Sequence, residues 1–225
     1  DELTNVLKNH LNNNIAKNVI LFVGSGMGLP VVTAGRIYKG QKRGKSGEDE
    51  QLSFEKFPYI GLSKTYSADR QVPDSASAAT ALLTGVKVNQ KTLAVDDSVR
   101  LNDCNRSLEE STHTFSVLAW AQEAGKSTGI VTTARVTHAI PAATYAHSSS
   151  SRWECDSLIP ANASKCLDIA RQLIEGHVGK EFKVIFGGGR QCFLDKVEPA
   201  DYDASVCRRK DNRNLLVEWE RDKKR

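Results

Sequence analysis

Asn18-Val-Ile-Leu-Phe-Val-Gly-Ser-Gly-Met-Gly28 is the stretch on which the fold reading turns. Val19 to Val23 is apolar at every position, as expected of a parallel strand buried on both faces. It runs directly into a glycine-rich turn and then into Pro30, a residue favoured in the first turn of a helix. A helix is predicted from Pro30 to about Lys39, followed by a polar surface loop over residues 40–53. The same alternation continues down the chain. Further strands are predicted at Tyr59–Thr65, Thr128–Thr133 and Phe182–Phe186. Helices are predicted at Ser75–Leu83, Leu108–Ala124 and Ala161–Glu175, with Gly85 and Gly125 as stops. Strands alternating with helices predict an α/β fold with a largely parallel sheet flanked by helices. Ligands in such folds sit beyond the carboxyl ends of the strands. The loops after Val23, Thr65, Thr133 and Phe186 therefore hold the candidate chemistry.

Leu3, Val6, Leu7, Leu11 and Ile15 recur at helical spacing, so residues 1–17 read as an amphipathic helix ahead of an α/β part at 18–225. Of the 225 residues 40% are hydrophobic and 26% charged, which fits a globular chain and excludes a disordered or fibrous one. No apolar run approaches the ~20 residues of a transmembrane helix. The opening Asp-Glu-Leu-Thr has no basic and apolar leader, so any signal peptide is expected to have been removed. The net charge of +4 is mild, and Arg208-Arg209-Lys210 and Lys223-Lys224-Arg225 read as solvated surface. No nucleic-acid-binding module is present. Cys104, Cys155, Cys166, Cys192 and Cys207 form no CxxC pair, and their odd number leaves one unpaired within the chain. With sequons at Asn105 and Asn162, they point to a secreted, oxidising compartment.

Individual motifs carry chemistry only weakly. Gly24-Ser-Gly-Met-Gly28 could cradle an anion on backbone amides, or be a tight strand-to-helix turn. It has neither dinucleotide nor P-loop spacing. In Val72-Pro-Asp-Ser-Ala76, Asp74 or Ser75 suits a helix N-cap. Ser75 is alternatively a nucleophile at a helix N-terminus, and with no base nearby in sequence a metal would have to activate it. His138 and His147 flank Pro141 at a spacing that is not diagnostic of zinc. Gly187-Gly-Gly-Arg190 suits either phosphate binding or a structural turn.

Together these segments resemble alkaline phosphatases. The resemblance rests on residues 18–28, Leu62–Tyr66, Gln71–Ser75, Gly85-Val-Lys87, Gly129–Thr133, Arg135–Ala139, Tyr145-Ala-His147 and Ile185–Arg190. Asn212–Trp219 looks like the animal, particularly insect, branch. The resemblance implies a secreted or lipid-anchored dimeric phosphomonoesterase holding two zinc ions and one magnesium. Ser75 would be the phosphorylated nucleophile, and Asp74 would orient a phosphate-binding arginine. It also implies a Cys104–Cys166 disulfide and glycosylation at Asn105.

The departures from the pattern bear on activity. Where the family has an aspartate bridging zinc and magnesium, this chain has Ser25, a far poorer ligand for hard cations. A second magnesium position is Ile140, which offers no oxygen, although His138 is retained. The arginine slot holds Ser151, with Arg152 displaced by one residue while Trp153 stays in register. The chain also stops at Arg225, before the family's remaining metal ligands, so a sheet cut short is expected. Three readings follow. The first is a catalytically impaired or inactive relative kept to bind a phosphate-containing ligand or a partner, with no metal site intact. The second is a phosphomonoester hydrolase using Ser75, with missing ligands supplied by another chain, in a homodimer or with a partner that completes the sheet. The third is a purely structural interaction domain.

Overall fold

The computed structural model describes residues 14–196 and 207–224. Most of the helix predicted over residues 1–17 lies outside them. The chain divides into two compact units, Asp1–Lys64 and Thr65–Arg225.

In the first unit, helix α1 spans Leu29–Gln41, with Pro30 in its opening turn. Arg36 grips Glu55 through Nε at 2.9 Å and Nη2 at 2.5 Å, tying α1 to a 3₁₀ turn at Ser53–Lys56. The strands expected at 18–23 and 59–65 are not formed. Phe22 is 88% exposed and Ile60 97%. Apolar composition cannot make a strand by itself. The backbone needs a neighbouring ladder, and neither segment has one among the described residues.

The second unit contains the core. Helix α2 covers Ser75–Thr84 and ends at Gly85, whose φ of 76° is the left-handed conformation glycine adopts without cost. After it come α3 (Cys104–Ser107), α4 (Val117–Glu123), β1 (Thr128–Arg135), α5 (Ala139–Ala142), α6 (Ile169–Glu175), α7 (His177–Glu181), β2 (Phe182–Gly188) and α8 (Leu215–Lys223). Strands β1 and β2 pair in parallel, with Gly129 opposite Val184 and Val131 opposite Phe186. Only glycine fits at 129, because a Cβ there would stand 2.9 Å from both the Cβ and the carbonyl oxygen of Val184. One sheet face carries Ile130 and Phe182 into a core shared with Ala76, Leu83, Ala143, Leu173 and Leu215. Helices α4 and α7 pack together, as do α2 with α5 and α6 with α8.

Two predicted helices are shorter than expected, each for a local reason. The pattern read as Leu108–Ala124 breaks at His113, which forms an antiparallel bridge with Val95, and α4 restarts only after Ser116 caps it. The pattern read as Ala161–Glu175 opens as a 3₁₀ turn, Ala161–Ala163. The α-helix begins after Asp168, whose carboxylate accepts the Arg171 amide at 2.8 Å.

Disulfides join Cys104 to Cys166 and Cys155 to Cys207, and Cys192 is a buried free thiol. Burial pushes the Cys192 thiol up to about 11, so it is un-ionised at neutral pH. The segment after Cys207 is further anchored by Arg209, which is fully buried. Its guanidinium donates to both oxygens of Asp168 at 3.1 Å, to the Cys192 carbonyl and to Asp211. Burial disfavours that charge, but the bonds to Asp211 and Asp168 outweigh it and raise the Arg209 pKa.

Candidate functional site

The start of α2 separates the roles of Asp74 and Ser75. Asp74 is the cap: its carboxylate accepts the backbone N–H groups of Ala76 and Ser77, each at 3.2 Å, and the Ser77 hydroxyl at 2.8 Å. A further N–H, from Lys91, reaches it at 2.9 Å. Burial would raise the Asp74 carboxyl, but the bonds from Lys91, Ser77 and Ala76 prevail and hold it below the usual range. Ser75 is thereby released from capping. It occupies the first helical position, is exposed, and its hydroxyl makes no hydrogen bond among the described residues.

Lys91 connects this corner to the arginine loop. Its N–H is bonded to Asp74, and its carbonyl accepts the Ser151 N–H at 2.7 Å. A single residue thus bridges the Asp74–Ser75 corner and the Ser151–Arg152 segment, segments far apart in sequence. Arg152 itself is exposed, while Trp153 beside it is buried with Cys104, Cys166 and Ala163. That anchoring keeps the loop in register.

His138 stands at the start of α5 with a buried Nδ1 that has no hydrogen-bond partner among the described residues. Beside it is a polar cluster that the sequence reading overlooked. Glu154, 6% exposed, accepts Arg135 Nε at 2.8 Å and Nη2 at 2.7 Å, and the Thr137 hydroxyl at 2.6 Å. Burial opposes ionisation of Glu154, but Arg135, Thr137 and the nearby His138 hold its pKa low. The only sequence signal was a carboxylate next to Trp153, too common a pair to single out.

His147 serves the scaffold. Its Nδ1 meets the Ala94 carbonyl at 2.6 Å, and its ring stacks on His113 with centroids 4.1 Å apart. Burial, reinforced by His113, lowers its pKa to about 4. Asn105 and Asn162 are both exposed.

The residues present do not fit the zinc and magnesium set that the resemblance implies. Ile140 packs half-buried against the core. Ser25, in the first unit, offers only a neutral hydroxyl at an exposed turn. Among the described residues no group of three His, Cys, Asp or Glu side chains is placed to hold a metal ion. No helix there is long and apolar enough to cross a membrane.

A family model described as alkaline phosphatase matches residues 16–225. The membrane-bound alkaline phosphatase of Bombyx mori is 46% identical over 211 residues, spanning 92% of this chain and 38% of that protein. The tissue-nonspecific isozyme of Gallus gallus is 45% identical over 216 residues, spanning 93% of this chain and 41% of the isozyme. Among solved structures, a cold-active alkaline phosphatase from a psychrophilic Shewanella superposes with a TM-score of 0.58 at 31% identity. That match covers 77% of this chain and 36% of the Shewanella chain. The Thermus thermophilus alkaline phosphatase gives 0.56 at 27% identity, covering 83% and 31%. This chain spans less than half the length of these relatives. With the parallel β1–β2 pair, the Asp74–Ser75 helix start and a match over nearly its whole length, the chain belongs to the alkaline phosphatase family.

Proposed function

We propose that this chain binds a phosphate-bearing ligand at the Ser75 corner and is strongly impaired in, or has lost, phosphomonoester hydrolysis. The observation that carries the reading is Ile140, a hydrocarbon side chain packed into the scaffold where the family resemblance calls for a magnesium ligand. Ser25 and the displaced Arg152 support it. Each weakens a different requirement of phosphoryl transfer: charge neutralisation by cations, and a bidentate grip on the phosphoryl oxygens. Loss of one preorganised donor typically costs about 10²–10³ in rate.

The binding half of the proposal draws on what persists. Ser75 keeps a free, exposed hydroxyl at the positive end of the ten-residue α2. Asp74 keeps the corner rigid, and Lys91 holds the Ser151–Arg152 loop beside it. Export to an oxidising compartment, glycosylation at Asn105 and Asn162, and pairing into a homodimer belong to the same proposal. The two disulfides and the exposed sequons are compatible with it.

A working phosphatase completed by another chain is the competing reading, and the unbonded Ser75 hydroxyl is the observation in its favour. Hydrolysis of a phenyl phosphate by the folded chain, with zinc and magnesium supplied, separates the two when run beside Ser75→Ala. The proposal expects at most trace turnover above the Ser75→Ala background. Sustained turnover at about 1 per second or faster that disappears in that variant would overturn it.

A further inference from the structure

Next to the Ser75 corner lies an open cleft of about 400 Å³ whose walls include Arg70, Lys91 and Arg100. None of the three makes an ion pair among the described residues. Elsewhere in the second unit Arg106, Arg135, Arg171, Arg209 and Arg213 are each matched to a carboxylate. Two acids also line the cleft, Asp69 and Asp97. Asp69 is partly committed, its Oδ1 accepting the Gln90 N–H at 2.8 Å and the Ser67 hydroxyl at 3.1 Å. The floor is fixed by Asn89, whose side-chain amide donates to the carbonyls of Asp97 and Val99 at 2.7 and 2.9 Å. The cleft is therefore a held, polar concavity with an excess of unmatched positive charge.

Its position gives the charge a use. Lys91 lines the cleft and at the same time donates its N–H to Asp74, the residue before Ser75. Gln90 adds a second tie through its side-chain amide, which donates to the Val72 carbonyl at 3.0 Å on the other arm of the same corner. We infer that the Arg70–Lys91–Arg100 cleft receives a second anionic group of the ligand. The preferred ligands are then phosphomonoesters bearing a further carboxylate or phosphate, rather than neutral esters. The inference rests on the proposed phosphate site at Ser75 for the first anion, while the cleft's own affinity for anions does not depend on it. Guanidinium and ammonium groups bind carboxylate and phosphate through charge-assisted hydrogen bonds, strongest where the cations are not already neutralised.

The test is calorimetric titration of the full chain with phenyl phosphate, 4-carboxyphenyl phosphate and citrate, without metals. It is repeated on Arg70→Gln/Arg100→Gln and on the charge reversal Arg100→Glu, each first shown by circular dichroism to unfold at the parent's temperature. All the altered side chains lie at the surface. The carboxylated ester should bind about tenfold more tightly than phenyl phosphate, and both variants should erase that preference while leaving phenyl phosphate unchanged. Citrate, which has no phosphoryl group, should bind the parent and lose that binding in both variants. Equal affinity for the two esters, or a preference that survives in the variants, overturns the cleft assignment. Citrate binding that needs Arg70 and Arg100, in a chain that ignores phenyl phosphate, keeps the cleft as an anion site and removes the Ser75 reading. Silence with all three ligands removes both.

Discussion

Val19–Val23 and Thr128–Arg135 look like the same kind of segment in sequence, yet they end in opposite states. Around Thr128–Arg135 the chain closes: β2 supplies a ladder, α4 packs alongside, and Ile130 is 8% exposed. Around Val19–Val23 no ladder forms among the described residues, and Phe22 and Ile20 are more than four-fifths exposed. Strand formation is a property of the pair, because an unpartnered extended segment leaves its backbone groups to water and gains nothing from its apolar side chains. The second unit assembles around long-range partners; the described residues of the first offer its apolar segment no ladder.

The contrast is broken most forcefully at Arg209. Truncating it to Met should leave Asp168 buried and uncompensated, lowering stability by about 3–5 kcal/mol in denaturant unfolding. A loss below about 1 kcal/mol would mean that the buried pair does not anchor the segment after Cys207. Core truncation comes next. Leu173→Ala, at a site 1% exposed, should cost about 2–5 kcal/mol. Phe22→Ala, at the exposed segment, should change stability by less than about 0.5 kcal/mol. Similar losses at the two sites would show that residues 19–23 are packed after all, and the contrast would collapse.

The acid limb of stability sharpens the account of the second unit. His147 has a folded pKa of about 4, below the 6.5 expected for the unfolded chain. Between these values the unfolded state binds the proton and the folded state resists it, so stability rises with pH across that window. The span corresponds to up to about 3 kcal/mol lost between pH 6.5 and pH 4. His147→Gln should flatten that limb in unfolding midpoints measured across the window; an unchanged slope would assign it to other groups. A smaller effect than that of His147 is expected at Asp74→Ala. Removing the cap should cost about 1–2 kcal/mol and loosen the Lys91 tie. A change within error would mean that the cap is replaced by another acceptor.

What was legible beforehand followed local rules. Pro30, Gly85 and Gly125 marked helix limits, and the apolar runs at 128–133 and 182–186 are the two strands that form among the described residues. What escaped depends on distant partners. His113 leaves the predicted helix because Val95 bridges it, and α6 starts at Asp168 because a cap outweighs the apolar spacing before it. At the site, Asp74 and Ser75 were visible as a pair, but which one caps the helix was not. That choice is settled by Lys91, whose backbone reaches Asp74 across 17 residues. The Arg135–Glu154–Thr137 cluster and the Arg209 clamp were equally invisible, each being a carboxylate and a guanidinium without a local motif.

The central claim is that the Ser75 corner binds phosphate without zinc or magnesium. Titration of inorganic phosphate into the folded chain, with a chelator in one series and zinc and magnesium in the other, addresses it most directly. The account predicts saturable binding of equal strength in the two series, weakened by Ser75→Asp. Binding that appears only when metals are supplied, or no binding in either series, would contradict it.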